Sequence, residues 1–199
     1  MIEPAALTVH SAQHLCAELA NRGVHEIITN ALDPIAAGPL TESGFLVREH
    51  LNLLGRHLTR LPPVAIATRR ARNRSAVLAL DEHAFPGTAL DADALTDALR
   101  ATTTVRFRTI GPTGTPLGYA ITGAAGYRGY VQRLAVQPGA RRSGVATALL
   151  IDGLRWARRR GARTAVVNTH TDNHAARALY ESTGFEAFPV GLVVLEWSS

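Results

Sequence analysis

Residues 130–161 constrain this chain more than any other stretch. Tyr130-Val-Gln-Arg-Leu-Ala-Val136 has the look of a strand. A short turn carrying Pro138, Gly139 and Gly144 follows, with Arg141-Arg-Ser-Gly-Val-Ala146 leading into a helix. Ala146, Leu149, Leu150, Gly153, Leu154 and Ala157 then recur at helical spacing, which predicts one buried stripe. Arg155, Arg158, Arg159 and Arg160 stand where cations suit the helix dipole, and Gly161 stops the helix. A strand, a glycine-bearing turn and a helix N-terminus in this order make an anion cradle. Free amides and the positive helix end face the turn. Gly144 permits close backbone approach, and Arg141 and Arg142 add forked charged donors.

A second unit follows. Thr164-Ala-Val-Val-Asn168 reads as a strand, Ala175-Ala-Arg-Ala-Leu-Tyr-Glu-Ser182 as a helix closed by Gly184, and Phe185 to Leu195 as two short strands. Two motifs stand out on these elements. One is Arg141-x-x-Gly144-x-Ala146. The other is Asn173-x-x-Ala176-x-x-Leu179-Tyr180 followed by Gly184-Phe185. In this order, about thirty residues apart, they resemble the signatures of the GNAT superfamily of acyl-CoA-dependent N-acyltransferases. The resemblance implies an α/β fold: a central twisted mixed sheet flanked by helices, spanning residues 64–199.

It also implies roles. The family transfers an acyl group, most often acetyl from acetyl-CoA, by direct attack of an amine on the thioester. The pyrophosphate of acetyl-CoA would lie on amides from Arg142 to Thr147, with Arg141 beside them. Ser143, Gly144, Val145 and Ala146 complete that set. Leu134, Ala135 and Val136 would offer backbone groups to the pantetheine arm and acyl carbonyl, with Asn168 and Asn173 on the arm. Asn173 also suits an ordinary helix cap. Tyr180 is the expected acid for the departing thiolate. Family members often carry a Glu base on the strand before the cradle, and here Gln132 and Arg133 stand there instead. Gln132 is expected to position a relay water. Asp81, Glu82 and His83 remain open as bases acting through water, or as solvated helix-end residues. The acceptor is expected to be a primary amine of a small molecule or peptide.

The rest of residues 64–199 reads as strand Val64–Thr68 after Pro62-Pro63, helix Ser75–His83, helix Asp91–Arg100, strand Thr104–Ile110, and strand Leu117–Thr122. Residues 1–60 form a separate unit in this reading. Gly23 to Asn30 echoes Gly161 to Asn168, and Ala36 to Ser43 with Gly44-Phe45 echoes Ala175 to Ser182 with Gly184-Phe185. We expect a partial repeat of helix, strand, helix and two strands, without a cradle, with Thr41 in the place of Tyr180 and Pro34 in that of Asn173. A tandem remnant and a chance likeness of two αβ segments both fit that echo.

Composition excludes other classes. The chain has 199 residues, 46% hydrophobic and 19% charged, which fits a folded domain rather than disorder. No apolar run is long enough to span a membrane, and Met1-Ile-Glu-Pro4 lacks a secretory signal. Cys16 is the only cysteine, so a reducing cytoplasm is expected. The net charge is +5 and every one of the 21 basic residues is arginine; arginine clusters at the cradle and along one helix with few aromatics interleaved, so nucleic acid is not an expected partner. His170 and His174 are four apart without a third ligand, so no metal is expected. A monomer or homodimer is the expected assembly.

Overall fold

The computed structural model describes residues 8–199, so the reading of Met1–Pro4 lies outside it. In chain order the elements are α1 (Val9–Asn21), β1 (Glu26–Ile28), α2 (Pro34–Glu42), β2 (Leu46–His57), β3 (Arg69–Arg70), α3 (Arg74–Ala84), α4 (Ala92–Arg100), β4 (Thr104–Ile110), β5 (Gly118–Ala125), β6 (Arg128–Val136), α5 (Val145–Arg159), β7 (Thr164–His170), α6 (His174–Ser182), β8 (Glu186–Ala187) and β9 (Leu192–Ser198). This is a mixed α/β protein. None of these helices is long and apolar enough to cross a membrane.

The chain divides into two compact units. One holds residues up to Leu53, Asn168–Arg177 and Ala187–Ser199. Here β9 pairs antiparallel with both β1 and β2, from Ile27↔Trp197 to Leu51↔Leu192. Helices α1 and α2 bury Cys16 and Ala37 against Phe45 and Leu195. Both start with side-chain caps, which satisfy amides that helix geometry leaves without partners. Thr8 and Ser11 cap α1 reciprocally, and Asp33 accepts from the amides of Ile35 and Ala36.

The other unit holds Leu54–Val167 and Ala178–Glu186. Its strands β3, β4, β5 and β6 pair antiparallel in that order. Residues alternate across a strand, and so the sheet has two cores. Tyr119, Ile121 and Ala135 meet Val77, Leu80 and Leu95 from α3 and α4 on one face. Ala120, Leu134 and Val136 meet Val145, Ala148 and Leu149 from α5 on the other. Ala148 to Leu154 are all buried, so the single stripe expected for α5 is too narrow. Asp152 within that run is held by Arg106, through Nε at 2.7 Å and Nη2 at 2.8 Å.

Three expectations are corrected. Val64–Thr68 is not a strand. Pro63 lacks a donor for a ladder, and the outer side of β4 is taken by Arg69–Arg70. Val64 and Ile66 are partly buried against the α5 core instead. The two strands expected before residue 60 are one strand, β2. Counted from the helix caps, the echo also shifts. Asp33 caps α2 as Asn173 caps α6, with the Ala176 amide donating to Asn173 Oδ1 at 3.0 Å. Both helices run nine residues. The Phe45 amide donates to Leu40 O, and the Phe185 amide to Tyr180 O. Leu40, not Thr41, thus corresponds to Tyr180, and Asp33, not Pro34, to Asn173.

Candidate active site

Strand β6 ends at Val136, where the Gln137 amide donates to Leu117 O at 2.9 Å. Pro138–Ala140 make one 3₁₀ turn, and Ser143 Oγ donates to Ala140 O at 2.6 Å. Arg142 has φ 61°, and among the described residues it is the only non-glycine with positive φ. Holding an arginine there costs about 1–2 kcal/mol, and such strain gathers at functional loops. Gly144 follows at φ 82° as the residue before α5, and no side chain caps that helix. Its first amides, on Val145, Ala146 and Thr147, precede the first helical carbonyl partners. Arg141, Arg142, Ser143, Gly144 and Thr147 are exposed. Alternating backbone hands and uncapped amides form a concavity suited to an anion.

The helix start is fixed from below. Val145 is buried, and a Cβ on Gly118 would lie 2.7 Å from its Cγ1 and 2.9 Å from Ala135 O. Any side chain at 118 displaces α5 or β6. Strand β6 pairs in parallel with β7 at Arg128↔Thr164, Gly129↔Ala165 and Tyr130↔Val166. It then continues to Val136, so Leu134, Ala135 and Val136 lie outside that ladder.

The register between β5 and β6 shifts where Ile121 faces Arg133 and Thr122 faces Val131. Gln132 is the extra residue of this bulge. Its Nε2 donates to Ala98 O at 3.1 Å, while its Oε1 is buried without a partner. A bulge re-aims a side chain, and a buried acceptor left open invites a donor. Sequence alone did not reveal this, because a bulge depends on register with the neighbouring strand.

Asp81 is removed from the candidate bases. It is fully buried, and its oxygens accept from Tyr119 Oη, Arg133 Nε and Nη2 (2.9 and 2.7 Å) and the Leu90 amide at 2.7 Å. Burial disfavours the Arg133 charge, but the Asp81 carboxylate more than offsets this and raises its pKa. The Tyr119 phenol is pushed up by burial and then by Asp81. This network fastens α3 to the sheet. The His83 ring bonds Ala79 O of its own helix at 2.7 Å, and Glu82 is exposed on α3.

Tyr180 is 6% exposed and lies 5.6 Å from the Phe185 ring, centroid to centroid. Burial pushes its phenol up to about 12. Arg56 braces this turn: it lies over Phe185 and donates to Thr183 O and Arg60 O. The site residues thus divide between the units. Gln132–Val136, Arg141–Thr147, Glu82 and Tyr180 belong to one, and Asn168 and Asn173 to the other.

Residues 75–185 match the model of the acetyltransferase (GNAT) family. No curated protein matches the chain. Solved structures do. A GCN5-related N-acetyltransferase from Sphaerobacter thermophilus is similar at 16% identity and TM-score 0.67, over 95% of this chain and 67% of that one. The ribosomal-protein-S18-alanine N-acetyltransferase of Escherichia coli is similar at 18% identity and TM-score 0.55, over 66% of this chain and 92% of that one. A tandem GNAT protein from the clavulanic acid biosynthesis pathway is similar at 17% identity and TM-score 0.64, over 96% of this chain and 68% of that one. With the family's model covering more than half its length, from α3 through the cradle to Phe185, the chain belongs to the GNAT acetyltransferase family.

Proposed function

We propose that this protein transfers an acetyl group from acetyl-CoA to a primary amine of a small molecule or peptide by direct attack. The carrying observation is the uncapped start of α5 behind two left-handed residues, Arg142 and Gly144. Amides of Arg142 to Thr147 hold the pyrophosphate, with the Arg141 guanidinium beside them. Leu134, Ala135 and Val136 offer backbone groups along the arm, together with the amide nitrogens of Asn168 and Asn173. Acetyl-CoA, when bound, supplies the activated thioester. Tyr180 carries its proton through the physiological range as an ordinary phenol does, burial raises its pKa further, and it donates that proton to the leaving sulfur. Gln132 Oε1 holds a water that takes the proton of the attacking amine, and Glu82 relays it outward. We place the protein in the cytoplasm as a monomer or homodimer, without metal or nucleic acid. Residues 1–60 are in this reading a cradle-free remnant of a second GNAT unit, and residues 64–199 are the acting unit. The repeated cap geometry supports that.

The similar Escherichia coli enzyme is named for a protein's alanine, so peptide amines open the acceptor panel, followed by small primary amines. A second reading, acyl-CoA binding without catalysis, draws on one observation: Asp81 is wholly engaged in an ion pair. Titration of acetyl-CoA against wild type and Gly144→Glu tests the cradle, and release of free CoA thiol over the amine panel tests catalysis. Binding lost in Gly144→Glu, with thiol release lost in Tyr180→Phe, supports transfer. Binding without thiol release from any amine favours the second reading. Failure of folded wild type to bind sinks both.

A further inference from the structure

The edge of the sheet carries a cavity of about 390 Å³, lined by residues of β3, α3, α4, β4 and α5. Strand β3 has two residues and pairs only at Arg69↔Thr109 and Arg70↔Arg108. The outer side of β4 before Phe107 is thereby left beyond the ladder, between the helix layers. Arg70, Arg74, Arg106 and Arg108 line the space, with Leu99 and Trp156 as apolar wall. Four arginines thus line one cavity, and the charges of Arg106 and Arg70 act on Arg108. Arg106 is neutralised by Asp152 in a two-point pair. Arg108 is partly desolvated, its charge disfavoured first by burial and then by Arg106, with Arg70 adding to this and only Asp152 opposing. Like charges gathered beside an apolar wall are held at a cost that a bound anion removes.

We propose that this cavity is a second ligand site, taking a small molecule with a doubly charged head, a phosphate or two adjacent carboxylates, on a flat apolar body. Arg70, Arg74 and Arg108 line the space offered to the head. Their forked donors match phosphate and carboxylate oxygens. The body lies against Trp156 and Leu99. The volume falls at the small end of the roughly 300–1,000 Å³ usual for ligand sites. The site is independent of the transfer reading, since it shares no residue with the cradle.

Trp156 and Trp197 are the two tryptophans, so Trp197→Phe leaves Trp156 as the sole reporter. We expect saturable change in its fluorescence on titration with phenyl phosphate or phthalate, and none with phenol. The two anions distinguish the head groups. Affinity should fall about tenfold or more in Arg70→Ala, an exposed position, and in Arg108→Gln. It should persist when Gly144→Glu blocks the cradle. No saturable change with either anion, equal response to phenol, or full affinity in folded Arg70→Ala overturns the proposal. Loss of the signal in Gly144→Glu also overturns it, because the anion then sits in the cradle.

Discussion

Helices α1 and α5 begin in opposite ways, although they end alike. Gly23 follows the α1 cap at φ 82° and Gly161 follows the α5 cap at φ 96°. The same match holds for Gly44 after α2 and Gly184 after α6, with Phe45 and Phe185 buried behind them. The starts differ. Thr8 and Ser11 satisfy the first amides of α1 with their own side chains. At α5 the corresponding place is Gly144, which has no side chain to offer. A cap stabilises a helix and closes its N-terminus to ligands; leaving it out keeps the amides open. The contrast extends to α2 and α6, where Leu40 holds the place of Tyr180 and leaves no proton to donate.

That contrast can be broken at several points. The largest effect is expected from Tyr180→Phe, which removes the donor and leaves the ring. The acetyl-transfer rate, followed by thiol release, should fall about 10²- to 10⁴-fold, with acetyl-CoA affinity little changed. Giving α5 a cap comes next. Gly144→Asp sets a carboxylate at the helix start and a side chain at φ 82°, and calorimetry should show acetyl-CoA affinity lowered about 100-fold, near 3 kcal/mol.

Tyr180 also leaves a mark on stability. Its folded pKa of about 12 lies above the ordinary value near 10. The unfolded chain therefore loses this proton first as pH rises. The contribution is complete below pH ~10 and fades towards pH ~12, amounting to about 2–3 kcal/mol. Denaturant unfolding across that window should give a weaker loss in Tyr180→Phe than in wild type.

The caps themselves give the smallest effects. Asp33→Ala and Asn173→Ala should each cost about 1 kcal/mol in chemical unfolding, and only Asn173→Ala should also weaken acetyl-CoA binding. Thr8→Ala should cost about the same or less and leave acetyl-CoA binding intact. A reduced affinity in Thr8→Ala would end the distinction between a closed and an open helix start.

The helix ends, the glycine before α5 and the order of elements from α3 to α6 were legible in the chain because each is local. Gly144 before a helical stripe, Asn173 ahead of Ala176, and Gly184-Phe185 after α6 all act within a turn or two of themselves. Of the strands misread, Val64–Thr68 has the apolar pattern of a strand but not a partner, and the pair expected before residue 60 is the single strand β2. Pairing is decided by what else reaches the edge of β4, and Arg69–Arg70 take it. The same reason governs the site. That Asp81 is spent on Arg133 and Tyr119 follows from β5, β6 and α3 meeting across 38 and 52 residues of chain. The open Gln132 Oε1 follows from a bulge in the β5–β6 register, and the arginine cavity from a β3 only two residues long. Sequence alone determined the family, the glycine-marked helix ends and the uncapped start of α5 on which the proposed cradle rests, since glycine conformations are set by neighbours in the chain. Tertiary structure decided which carboxylates and amides are left available for chemistry, since a polar side chain is free only when no distant partner has claimed it.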